Sequence, residues 1–267
     1  MMFIRNTQWG VMLMNLVVMD VTRMAKPRVC VAGLTLEGDD CIRPLLKAGD
    51  LDEAWLRHDP EHLCEPFTVI GVELLDQPKL EPPHVEDWHI APNYVFVRHL
   101  EPDERDDLLR RTAVTSVSQL FGTPLDLGGG TPCVSPGTGT RSLATLKPKA
   151  ILGVRLDRFP GRPLSCRLEL VDAEGVVVSA AVTDLRFRLA VERTLATTDG
   201  LSPTQLANSL TRQLHGADVW LRVGLSRWFS RDGSAAPRCY LQVNGVHTIP
   251  DDLGNGTLAD ELAWAPQ

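Results

Sequence analysis

The sequence has no C-x-x-C pair, no G-x-S-x-G turn and no G-x-x-x-x-G-K-[ST] loop, and its hydrophobic runs are short. The first absence argues against a zinc ribbon or a thioredoxin-like redox centre. The second argues against an α/β-hydrolase nucleophile, and the third against a P-loop. Gly128-Gly129-Gly130 follows no strand pattern and opens no helix, so the dinucleotide fingerprint is missing as well. No apolar run reaches the roughly 18 residues that a bilayer requires. Residues 11–21 are broken by Asn15 and Asp20, and no small-residue cleavage pattern follows them. These absences predict a cytoplasmic protein with no membrane partner, whose six cysteines are reduced. Cys30, Cys41, Cys166 and Cys239 lie in apolar, strand-like settings and read as small hydrophobes. All six methionines fall within the first 24 residues and Met14 makes a sensible start, so residues 1–13 read either as an extension ahead of it or as a poorly ordered arm.

What is present is β-rich, and 267 residues suit one large or two ordinary domains. Short β-branched runs occur at 16–21, 28–36 and 67–75, then at 150–157, 166–171, 176–182, 219–226 and 238–243. Glu37-Gly38-Asp39-Asp40 and Asp172-Ala173-Glu174-Gly175 supply turn chemistry between pairs of them. Residues 80–92, rich in proline and histidine, read as an ordered loop. Thr183 to Arg188 alternates in character and reads as a strand, with Arg186 and Arg188 on one face and Phe187 on the other. One helix is predicted in each half. The first spans 102–121 with a break near 112–115. The second opens on Ser202-Pro203-Thr204-Gln205, a capping box with proline at the first helical position.

The expected fold is mostly β with a few helices, two small OB-like barrels packed together; periodicity alone leaves an SH3-like barrel or a sandwich open. The expected boundaries are 14–122 for the first barrel, 123–142 for a Gly/Pro/Thr-rich linker or loop, 143–252 for the second barrel and 253–267 for an acidic, partly ordered tail.

Charge is distributed unevenly. Residues 1–140 carry 12 basic and 21 acidic side chains, a net of −9, and residues 141–240 carry 15 and 9, a net of +6. A basic half points to a polyanionic partner. Equally, the two halves attract each other across an internal interface. Arg186, Arg188, Arg222 and Arg227 with Trp228 combine guanidinium charge and flat aromatic faces, as single-stranded nucleic acid requires. The plainer alternative makes Phe187 core and pairs these arginines with Asp184, Glu192 and Asp232. Lys147 and Lys149, beyond a Gly/Thr-rich segment, are weaker phosphate candidates.

No metal is expected. His58, His62 and Cys64 are the weak candidates, and His84 and His89 around Glu86 and Asp87 form a second dense patch; neither spacing matches a closed zinc site. Cys133 sits in the linker as a potentially reactive thiol.

Several segments together resemble a family. Arg28-Val29-Cys30-Val31-Ala32-Gly33 with Cys41-Ile42-Arg43-Pro44 looks like the opening hairpin of the bacterial dual-OB-domain proteins. Pro82-Pro83-His84-Val85-Glu86-Asp87-Trp88 resembles their proline-rich loop with its acidic–aromatic ending. Ser142-Leu143 through Lys147-Pro148-Lys149, residues 183–188, Val223-Gly224-Leu225-Ser226-Arg227 and Gln242-Val243-Asn244-Gly245-Val246-His247 resemble the second barrel. The resemblance covers roughly residues 15–252 and implies two OB barrels with a nucleic-acid or nucleotide-sensing role. It carries no residue-level assignment.

The reading that follows is a non-catalytic module, without cofactor, that binds nucleic acid or a nucleotide through its basic second barrel. A protein-interaction or regulatory subunit is the alternative, and a nucleotide-directed enzyme the third reading.

Overall fold

The computed structural model describes residues 13–36, 40–59, 61–128, 130–230, 236–250 and 257–264. The proposed extension at 1–13, most of the turn at 37–40, and Asp232 thus lie largely or wholly outside the described residues.

Five strands, β1 (Leu13–Arg23), β2 (Val29–Thr35), β3 (Cys41–Leu46), β4 (Thr68–Leu74) and β5 (Asp87–His99), close into a barrel in the order β1-β2-β3-β5-β4. β3 runs parallel to β5 and the other pairs are antiparallel, which is the Greek key of an OB barrel. The short helix α1 (Glu53–Leu56), capped by the Asp52 carboxylate, sits between β3 and β4. β5 begins at Asp87, so the second half of the expected 80–92 loop is strand.

Helix α2 (Pro102–Thr112) starts on a capping box formed by Glu101 and Glu104 and stops where the β-branched stretch begins. The chain then forms β6 (Ala113–Val114), a 3-10 turn at Val117–Gln119 and β7 (Cys133–Val134). The Gly/Pro/Thr-rich segment is not a free linker. β7 adds to the edge of a later strand, Thr140 N–H donates to Phe121 O, and Cys133 is buried rather than available as a reactive thiol.

The second unit contains β8 (Leu143–Leu146), β9 (Ala150–Asp157), β10 (Ser165–Val171), β11 (Val177–Val182), β12 (Asp218–Leu225) and β13 (Cys239–Ile249). Its sheet runs β6-β8-β12-β13-β11-β10-β9. Within it, β9-β10-β11-β13-β12 repeats the OB order, with β11 parallel to β13. Among the described residues β9 and β12 do not pair: β8 takes the β12 edge, and a helix lies along β9.

That helix, α4 (Pro203–His215), has the predicted capping box, with Ser202 Oγ accepting from Gln205 N–H at 3.2 Å and Gln205 Oε1 accepting from Ser202 N–H at 2.9 Å. Ser202→Ala is expected to cost about 1 kcal/mol, read as a shift in the urea midpoint at unchanged slope.

One helix per half is too few. Residues 185–197 form α3 (Leu185–Thr197), capped by Asp184, and α5 (Leu258–Trp264) follows in the expected tail. The alternation read as a strand is two helical stripes. Phe187 and Val191 enter the core of the second unit, whereas Leu185 and Leu189, with Leu258 and Leu262 of α5, enter the core of the first barrel. An amphipathic helix clamped between two cores is apolar on two faces, and over a short window that mimics a period of two.

No helix among the described residues is long and apolar enough to cross a membrane.

Candidate functional site at the seam between the barrels

Two irregularities build the seam. In β1, Leu16 and Val18 point into the first barrel and Val17 and Met19 point out. Strict alternation would aim Asp20 inward. A register shift between Val18 and Asp20 reverses the parity, so Val21 is inside and Asp20 faces the second unit. On β12, Val219, Leu221, Val223 and Leu225 fill the second core, and Trp220 and Arg222 face back. Trp220 joins Val17, Met19, Phe67 and Leu109 in an apolar cluster between the units.

Beside this cluster lies a charged network. Arg222, 2% exposed, donates from Nε to Asp20 Oδ2 at 3.0 Å and from Nη1 to Thr145 Oγ1 at 3.0 Å. Burial pushes the Asp20 carboxyl above its ordinary range, and Arg222 draws it part of the way back. Glu86 accepts from the backbone N–H groups of Ser142 and Leu143 and from Ser142 Oγ, pinning the start of β8 to the first barrel. Asp87 takes two guanidiniums at once: Oδ1 accepts from Arg43 Nε at 2.6 Å, and Oδ2 accepts from Arg227 Nη2 at 2.7 Å. The buried His84 lies 3.2 Å from Leu225 O; burial first, then Arg43 and Arg227, lower its pKa to about 4. The acidic–aromatic ending of the proline-rich loop is therefore an interface device. Part of the charge asymmetry is neutralised here, Asp20 and Asp87 meeting Arg222 and Arg227.

OB barrels commonly bind ligands on the face of strands 2 and 3 and with the loops that flank it. In the first barrel that side is occupied, since Cys41 and Arg43 of β3 contact Arg222 and Ser142 of the second unit. Two clefts remain on the seam. One, of about 550 Å³, includes Trp88, Arg141 and Arg222, but Arg141 is spent on the carbonyls of Leu120 and Gln119. The other, of about 570 Å³, has Met24, Leu45 and Leu46 as apolar wall and Arg23, Arg43 and Arg227 as charged wall, with Phe229 at the β12–β13 loop. Arg43 is buried, and its Nη2 has no hydrogen-bond partner among the described residues.

The family model of the dual OB-containing domain matches residues 14–246. The chain belongs to this family. No curated protein and no solved structure matches it. Two OB units are by their fold the architecture of a binding module.

The residues singled out from the sequence of this dual-OB chain divide sharply. Arg227 and Trp228 stand together at the surface, Trp228 being 56% exposed. Arg222 is interior, contrary to expectation, because its strand faces the other barrel. Arg186 and Arg188 are on a helix rather than a strand; Arg188 donates to Leu164 O and pairs with Glu192, and Phe187 is core. Lys147 pairs with Asp218 at 2.7 Å and lies over the Trp220 ring, leaving Lys149 exposed nearby. His62 stacks on Phe96, His58 lies edge-on to Tyr94, and the buried Cys64 thiol is pushed up by burial. Among the described residues no three His, Cys, Asp or Glu side chains are grouped to hold a metal.

Sequence reasoning missed Arg43 and Phe159 as site residues and placed Asp87 only in a possible metal patch. Arg158-Phe159-Pro160-Gly161-Arg162 joins two strands, with Phe159 53% exposed. It repeats the arginine–aromatic interleaving of residues 227–229, and that was the available signal.

Proposed function

We propose that this dual-OB protein binds single-stranded nucleic acid or a nucleotide on the second unit's loops and the adjoining Arg43 cleft. The observation that carries the reading is Trp228 and Phe229, 56% and 46% exposed, beside Arg227 at the cleft mouth. Exposed aromatics give stacking surfaces, and guanidiniums give phosphate contacts and cation–π character. The β12–β13 and β9–β10 connections correspond to the loops that flank an OB ligand face, and both carry exposed aromatic residues next to arginine. In this reading the barrels keep the boundaries 14–122 and 143–252, with residues 123–142 as an ordered strap.

The test is anisotropy of labelled single-stranded DNA, single-stranded RNA and duplex DNA at low and high salt. One single-stranded probe is expected to bind with an affinity that falls as salt rises, through counterion release. Trp228→Ala is expected to weaken that binding about tenfold, the loss of one stacking platform. Flat curves for every probe, including short oligonucleotides and mononucleotides, would overturn the reading and leave the protein-partner alternative.

A further inference from the structure

We infer that the Arg43 cleft is a pocket for the terminal phosphate of a nucleotide, with the base held against Phe229 and the apolar wall. This rests on the binding surface proposed above and names its ligand.

Three observations converge on it. Arg43 and Arg227 share one carboxylate, Asp87, each using a different oxygen. Two guanidiniums thus share one carboxylate. Glu86 adds its charge to the field at Arg43, but its oxygens accept from Ser142 and Leu143 rather than from either guanidinium. The third arginine of the cleft, Arg23, pairs with Glu192 at 2.5 Å, which Arg188 also meets, and Asp50 on the same lining pairs with Arg28.

The second observation is the unused donor. Arg43 is 6% exposed, its Nε and Nη1 are occupied by Asp87 and Ser142, and Nη2 has no partner among the described residues. A buried guanidinium N–H without an acceptor costs free energy that an incoming anion would recover. Asp87 fixes both guanidiniums before any ligand arrives, so little ordering cost remains at binding.

The third is the shape and polarity of the cleft. About 570 Å³ lies within the range of small-molecule sites, and the charged wall faces Met24, Leu45 and Leu46. Inorganic phosphate alone would leave that apolar wall unused, and an apolar ligand would leave the arginines unmatched. A nucleoside phosphate has one end for each. Gln242 and Asn244 also line the cleft; Asn244 Oδ1 accepts from Thr183 Oγ1, which leaves the half-buried Gln242 to offer an amide to a base edge. His84 outside the cleft lies in the field of the same two guanidiniums, which add to burial in lowering its pKa, while Asp87 opposes them.

The phosphate has two sources, a free mononucleotide or the phosphorylated end of a strand. The experiment therefore titrates the full chain with adenosine and guanosine monophosphates, their parent nucleosides, inorganic phosphate, and one single-stranded oligonucleotide with and without a terminal phosphate. Heat of binding and the His84 imidazole resonances are followed together. At least one phosphorylated probe is expected to bind about tenfold or more tightly than its unphosphorylated counterpart, the worth of one charge-assisted contact. Its binding is expected to raise the His84 pKa. Arg227→Ala, at a side chain 53% exposed, is expected to abolish the phosphate preference, whereas Trp228→Ala weakens phosphorylated and unphosphorylated probes alike. Arg43→Gln is the second variant, read only after circular dichroism shows that it folds; Arg227→Ala decides the matter without it.

Preference by the mononucleotides alone assigns the pocket to a free nucleotide, and preference by the oligonucleotide alone assigns it to a strand end. Equal affinity with and without the phosphate would overturn the pocket while leaving the loop surface standing. No binding by any probe would remove both.

Discussion

Replacing Arg222 by methionine is expected to lower stability by about 3–5 kcal/mol, the cost of leaving a buried charge without its partner. Asp20 and Arg222 are 1% and 2% exposed and lie 202 positions apart in the chain. Methionine fills much of the arginine's volume, so little of the loss comes from a cavity. What remains is the Asp20 carboxylate, one oxygen of which already lacks a partner among the described residues. The double variant Asp20→Leu with Arg222→Met is expected to recover most of the loss, because apolar replacement of both partners removes the desolvation penalty together with the attraction. Urea unfolding of the wild type, both single variants and the double variant closes the cycle. A double variant as unstable as Arg222→Met alone would sink the idea that the unpaired charge is the cost. The single variant's deficit should also shrink on acidification, since an unpaired Asp20 takes up a proton more readily folded than unfolded.

The stability of the wild type is expected to fall as pH drops from 6.5 towards 4, with His84 responsible for about 3 kcal/mol of the loss. His84 is 3% exposed, and in its neutral form Nε2–H donates to Leu225 O. Burial and the two neighbouring arginines depress its folded pKa from 6.5 to about 4. Between those values the unfolded chain binds more protons than the folded one. The contribution is therefore complete above pH 6.5, is lost through this window, and stays lost below it. His84→Gln keeps an N–H donor and removes the titration, so its stability should change less over the same interval. The comparison isolates His84 from carboxylates that respond differently, such as Glu65, raised by burial, and Glu104, lowered to about 2 by Arg98. Parallel pH profiles for the two proteins would rule the histidine out.

Both effects arise at the seam, and the seam was only partly legible in the sequence. The charge asymmetry offered two explanations, and the structure pairs Asp20 and Asp87 of the acidic half with Arg222 and Arg227 of the basic half. That does not exhaust the basic half, because Arg158 and Arg162 remain exposed. The Arg186–Phe187–Arg188 cluster failed as an exposed strand because α3 packs on two cores at once, and a helix with two apolar stripes alternates like a strand. Cys133 looked available because glycine and proline surround it, yet β7 buries it against β13.

The sequence by itself determined the β-rich composition, most strand positions, the capping box of α4 and the arginine–aromatic loop at 227–229, while the OB character of the two halves came from the resemblance to a family. Each depends on neighbours a few residues apart, where alternation, turn chemistry and capping act directly. Only the tertiary structure decided which charges are buried and which are free. A one-residue register shift in β1 turned Asp20 from the barrel interior to the seam, and the face that β12 presents to the first barrel enclosed Arg222 there. Neither event leaves a local pattern, because its free energy comes from contacts between units distant along the chain.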